Sequence, residues 1–346
     1  MTYLKWGGNS LPLKPKERID YVDLVKGITI LWIVWYHSGF YAFGDYRNPI
    51  FFFASGVFFK LTDFHTFITK RLRLIVIPLL FFYLASYPYH ILLHLWDMRT
   101  FEGFEWGSIF QIFDVAPNRD HLSLNAPLWF TITLFVIQTI SLLFLRLPKL
   151  IIGAVCLLIV LFKDAILAFP TPFMINHACY WIIFFTAGYF IGKPYIEFIK
   201  NIKNRVISLI GELTILIVTC VLIGPAGYED PSHIVSVLSV LSFVMVLLTA
   251  FSFFNGNPHL HFLRYFGKNS LIILGMHFWL LTPVTRLYGK FFDVTNPAIV
   301  FMIAATVVGC LIPIIEFCNK HIPLLVGTRT PVTPFFAPKQ KPQLQN

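Results

Sequence analysis

Lysine and histidine side chains lie within the first apolar run of this chain, and their spacing invites chemistry. Lys26 and His37 stand eleven residues apart. In an α-helix that is almost three full turns and about 16 Å of rise, so the two point in similar directions from different depths. An ionisable group in hydrocarbon is costly and is a functional hypothesis by default. Lys26 follows Asp23 by three residues, so the two share a face and can pair. With its ammonium snorkelling, this pair needs no role beyond anchoring the helix end. His37 lies past the middle of the run. An imidazole there suits a general base or a nucleophile; a histidine bonded to a neighbouring helix accounts for its position equally well.

Other reactive side chains cluster at the ends of later apolar runs. Lys70, Arg71 and Arg73 precede one of them. Together with Lys26 they form a basic group at one membrane face, suited to charge-assisted bonds with phosphates. Trp129 opens a run at about the level of His37, where it either stacks on a sugar or anchors the interface. Asn269, Ser270 and His277 fall in a late run, where they shape a channel or cap and pack the helix. Glu212 lies inside another run. His90 and His94 are one turn apart near a helix end; a metal needs further ligands than these, and no metal site is expected. His259 and His261 read as surface residues. Cys156, Cys179, Cys220, Cys310 and Cys318 are odd in number, lie in or beside apolar runs and form no CxxC pair. They imply neither a disulfide framework nor a zinc site.

The elements that position these residues follow from composition. Of 346 residues, 57% are hydrophobic and 13% charged, with 38 Phe. Soluble domains carry about 25% charged residues. The bilayer must therefore be the solvent, and only helices or closed barrels satisfy their backbone there. The runs are too long and too continuously apolar for barrel strands, so the fold class is all-α, a polytopic membrane protein of about ten transmembrane helices. Spans are expected near 22–43, 48–60, 73–95, 126–146, 148–167, 177–193, 206–224, 234–254, 270–289 and 297–318. The second is short, its apolar stretch covering only about 16 Å. Charge bears on whether it crosses. With ten crossings, 21 of the 27 Lys and Arg fall on the side of the N-terminus; without the second, this bias collapses. The positive-inside rule then puts both termini in the cytoplasm. The net charge of +10 reports topology, and nucleic acid is not an expected partner. The first run is too long and too charged for a cleaved signal, so it is expected to remain as a span. Residues 1–320 form the expected transmembrane domain and 321–346 an expected disordered cytoplasmic tail. The long loop at 96–125 falls outside, either covering a site or merely connecting. Neither an internal repeat nor a nucleotide-binding glycine loop is apparent.

The segment Arg18-Ile-Asp-Tyr-Val-Asp23-Leu-Val-Lys26-Gly27 followed by His37 resembles the opening of the membrane acyltransferase 3 family. That family's hallmark is a basic residue, ten intervening positions and a histidine; arginine is more usual at the first position than Lys26. Pro49 to Ser55-Gly56 resembles the family's Phe-rich segment. Lys70 to Pro78 resembles its basic approach to the third helix, where two arginines stand three apart; here Lys70 and Arg73 hold that spacing. Asn125-Ala-Pro127-Leu-Trp129-Phe130 and Gly267-Lys-Asn269-Ser270-Leu271 with His277 resemble two further signatures.

The resemblance implies an O-acetyltransferase with acetyl-CoA as donor substrate and no permanently bound cofactor. The acceptor would be a hydroxyl of a glycan or lipid-linked sugar, and the setting a bacterial inner membrane. It implies His37 as the catalytic residue and Lys26, Lys70, Arg71 and Arg73 as donor-binding residues. Asp23, Ser55, Trp129, Asn269, Ser270 and His277 would support them. Two other readings remain at this stage. A transporter of an anionic or lipid-linked substrate would use the same basic cluster for docking, and duplicated halves would favour it; none is seen. A different multi-span acyltransferase would use His277 in place of His37.

Overall fold

A computed structural model of the chain describes residues 19–42, 46–116, 122–223, 234–328 and 335. It is all-α, with thirteen α-helices among these residues: α1 Asp20–His37, α2 Arg47–Val57, α3 Phe64–Arg71, α4 Ile77–Met98, α5 Trp129–Phe144, α6 Lys149–Leu161, α7 Lys163–Ala168, α8 Ile175–Phe198, α9 Ile202–Ile223, α10 Ile234–Ser252, α11 His261–Lys268, α12 Ser270–Gly289 and α13 Pro297–His321. The only strands described are two residues each, Val115–Ala116 paired antiparallel with Thr171–Pro172.

Among the described residues, six helical stretches are long and apolar enough to cross a membrane: Phe64–Met98, Ala126–Phe144, Ile202–Ile223, Ile234–Ser252, Ser270–Gly289 and Pro297–His321. They coincide with six of the ten expected spans. The other four fall short for distinct reasons. α1 carries Asp20, Asp23 and Lys26 within 18 residues. α2 has only 11 residues. The run at 148–167 is broken at Phe162 into α6 and α7. α8 is long enough but includes Asn176, His177, three tyrosines, Lys193 and Glu197.

Three of these four, α1, α2 and the first part of α8, are largely buried in protein, which accommodates the polar Asp23, Asn176 and His177 there. They are packed closely by small residues, the usual device where no hydrophobic effect drives helices together in lipid. α1 meets α11 through Gly27 and Gly267: a Cβ on Gly27 would lie 2.0 Å from the Leu263 carbonyl oxygen, and one on Gly267 1.9 Å from that of Asp23. α2 meets α8 likewise, a Cβ on Gly188 falling 2.1 Å from the Phe53 carbonyl oxygen. Around this centre Phe52, Phe82, Phe184 and Phe185 are fully buried.

Two local features bear on the site. Asp63 caps α3 by accepting the Thr66 N–H at 2.9 Å, and this bond holds its carboxyl below the ordinary range. Between α3 and α4 the helix loosens into one π-helical turn, Leu72–Val76; such turns recur at functional sites. The loop at 96–125 contains a 3₁₀ helix, Trp106–Phe113. It is tied to α4 by the hydroxyls of Tyr83 and Tyr87, which donate to the carbonyls of Ser108 and Trp106. After α13 the chain turns through residues 322–328, where Val326 is buried and Gly327 abuts Pro78 and Leu74. Of the expected disordered tail, residues 329–334 and 336–346 lie outside the described residues. So do Lys5, Lys14, Lys16, Arg18 and Arg119, which are among the 27 Lys and Arg counted for the charge bias.

Candidate active site

One cavity of about 220 Å³ opens among the central helices. α1 lines it with Lys26, Ile30, Ile33 and His37. These stand at intervals of four, three and four residues, the stripe that one helix face generates. Because both ionisable ends of the stripe touch the same cavity, it runs for about 16 Å along α1. α2 contributes Asn48, Phe51 and Ser55, again one face at steps of three and four. The π-helical turn gives Leu74 and Ile75, and the start of α12 gives Ser270, Leu271 and Leu274. The wall is closed by Pro127, Trp129, Phe130, Thr131 and Leu134 at the start of α5. The result is an apolar shaft with polar groups at intervals.

At one end Lys26 lies 3.8 Å from Asp23, whose backbone is held by the α1–α11 contact. At the other end the His37 ring packs against Phe278 at 4.9 Å and His277 at 5.4 Å between centroids. Trp129 belongs to an aromatic group with Trp181 and His177, their ring centroids 6.1 and 6.0 Å from its own. Arg47, at the head of α2, lies over the Tyr36 ring at 3.4 Å, a cation–π contact beside His37.

The cavity thus brings together Lys26, His37, Ser55, Trp129 and Ser270, with Asp23 behind Lys26 and His277 behind His37. It does not bring in the rest of the basic cluster. Lys70 and Arg73 are exposed, and Arg71 lies over Phe59 and Phe67 at 5.7 and 5.4 Å. The cavity is lined instead by the two residues that follow Arg73. Asn269 is buried and serves the fold: its amide donates to the Tyr265 carbonyl and its oxygen accepts from Asn319, both at 2.8 Å.

Sequence reasoning missed Asn48 and Thr131. Asn48 stands seven residues before Ser55, which is two helical turns, so the face that carries Ser55 pointed to it. Of the weaker candidates, His90 and His94 each donate a ring N–H to a loop carbonyl, Leu124 and Glu102. Glu212 accepts from the Tyr195 hydroxyl, which also bonds Thr249. These contacts account for both histidines structurally; Glu212 Oε2 is buried with no hydrogen-bond partner among the described residues.

Such a shaft can hold a long, slender ligand with one end by Lys26 and the other by the His37 imidazole. A family model described as an acyltransferase domain matches residues 19–315, most of the chain. No curated protein and no solved structure matches it.

Proposed function

The chain belongs to the acyltransferase 3 family, and on that premise we propose that it moves an acetyl group from acetyl-CoA to a hydroxyl of a glycan or lipid-linked sugar. The observation that carries this reading is that one cavity is lined by both Lys26 and His37. The donor's phosphates stay at the Lys26 end, with Lys70, Arg71 and Arg73 on the approach to it. The pantetheine arm follows the apolar wall of Ile30, Ile33, Leu74 and Leu271. Its thioester then reaches His37, where Trp129 offers a face to the acceptor sugar.

In this reading His37 acts as general base. A ring nitrogen takes the proton from the acceptor hydroxyl as the oxygen attacks the thioester carbonyl. The C–S bond breaks, and the CoA thiolate takes the proton back from the imidazolium. One ester and one free thiol result, and His37 returns to its neutral form. All ten apolar runs cross in this proposal, with both termini cytoplasmic, since the bias of basic residues supports that orientation. The setting is a bacterial inner membrane.

Purified protein incubated with radiolabelled acetyl-CoA and lipid-linked sugar acceptors tests the proposal. Label should pass to the acceptor with wild-type protein and not with His37→Ala, while both bind the donor. Transfer by the His37→Ala protein at the wild-type rate would overturn it. Uptake of label into vesicles without covalent transfer would favour a transporter.

A further inference from the structure

We infer that His277 is the positioning residue for His37, holding its ring in the tautomer that leaves a bare nitrogen facing the cavity. The inference rests on the proposed role of His37 as base. Nδ1 of His277 lies 2.8 Å from the Ile273 carbonyl oxygen and 3.1 Å from that of Leu274. A carbonyl only accepts, so Nδ1 carries the ring proton and Nε2 keeps its lone pair. His277 is completely buried, and its Nε2 has no hydrogen-bond partner among the described residues.

Buried acceptors without donors are uncommon and call for a reason. The reason stands alongside. The His37 ring lies 5.4 Å away between centroids, tilted by 40°, and Phe278 packs edge-on against both rings at 4.9 and 5.0 Å. A turn of the His37 side chain closes this separation to hydrogen-bond length, and such bonds commonly tighten only when substrate is bound. His37 then donates one ring N–H to Nε2 of His277. Its other nitrogen stays bare to receive the acceptor's proton. When His37 becomes imidazolium, the same N–H keeps its acceptor, and His277 never changes protonation state. This is the logic of a base oriented by a third group, with an imidazole lone pair where a carboxylate is more usual.

Two substitutions separate this role from packing. Gln at 277 can place an amide oxygen near the position of Nε2. Asn reaches only as far as Nδ1 and can keep the bond to the Ile273 carbonyl. The expected result is that His277→Asn lowers kcat about 10- to 100-fold with the donor KM unchanged, and that His277→Gln restores much of the loss. Near wild-type kcat in His277→Asn, or equal kcat in the two variants, would overturn the inference. Should either variant fold poorly, ¹⁵N-histidine spectra of the intact protein decide: His277 Nε2 should shift when His37 is replaced by Ala, and an unchanged signal counts against the contact. If His37→Ala itself retains full transferase activity, the base assignment fails, whatever the His277 spectra report.

Discussion

Helices α1 and α9 make opposite use of the membrane. α9 is strongly apolar, and only 6% of its spanning window is buried; Ile210, Ile217, Val221 and Leu222 are exposed along it. α1 carries Asp20, Asp23, Lys26 and His37, and more than half of its residues are buried. Of the two, the helix that fits lipid better lines no part of the cavity, and the one that fits it poorly provides the cavity's longest wall. A helix enclosed by protein is released from the demand for apolarity. Length and hydropathy therefore rank these helices almost inversely to their part in the proposed chemistry.

The contrast is open to attack at matched positions. The largest expected effect is at His37. His37→Ala should lower specific transfer activity about 10²- to 10⁴-fold, the scale of a lost general base, while Val221→Ala on α9 leaves it unchanged; turnover normalised to folded protein measures both. Next come the glycines. Gly27→Val drives a side chain into the Leu263 carbonyl, and overpacking of this kind costs about 1–3 kcal/mol or more. Gly211→Val on α9 meets nothing within 4 Å. Thermal unfolding in detergent should show a marked drop for the first and little change for the second; equal melting temperatures would break the comparison.

A smaller effect is expected from the lysines. Lys26→Ala should weaken acetyl-CoA binding ten- to hundredfold, since a charge-assisted bond contributes about 1.5–3 kcal/mol. Lys203→Ala, on the exposed start of α9, should bind the donor as wild type does in calorimetry. The smallest effect belongs to Glu212, where α9 engages its neighbours. Glu212→Gln keeps a partner for the Tyr195 hydroxyl and should leave activity within about twofold. A dead Glu212→Gln enzyme would show that α9 is not passive.

The sequence carried the axis of the site because that axis is local. Eleven residues on one helix fix the relation of Lys26 to His37, and the cavity follows it. Ser55, Trp129 and Ser270 were legible from motifs and meet the same cavity. Asn48 and Thr131 were not, since which helix face turns inward depends on partners distant in sequence. Lys70 and Arg73 matched the family's spacing of basic residues, but the turn from Leu72 to Val76 is π-helical, and Leu74 and Ile75 line the cavity while both basic side chains stay exposed. The His277 contact with His37 joins helices more than two hundred residues apart, and no local pattern announces it. The burial of α1, α2 and the first part of α8 was hidden for the same reason.

The contact between Gly27 and Gly267 sets a timetable for synthesis. Roughly 240 residues separate the two positions. At about 5–20 residues per second, α1 is made some 12–50 s before α11 exists to receive it. Throughout that interval α1, with Asp20, Asp23, Lys26 and His37, waits in or beside the bilayer without its final neighbour. α1 must either be sheltered by the insertion machinery or lodge first against α2, which is complete earlier. The cavity itself can close only when nearly the whole chain has been translated.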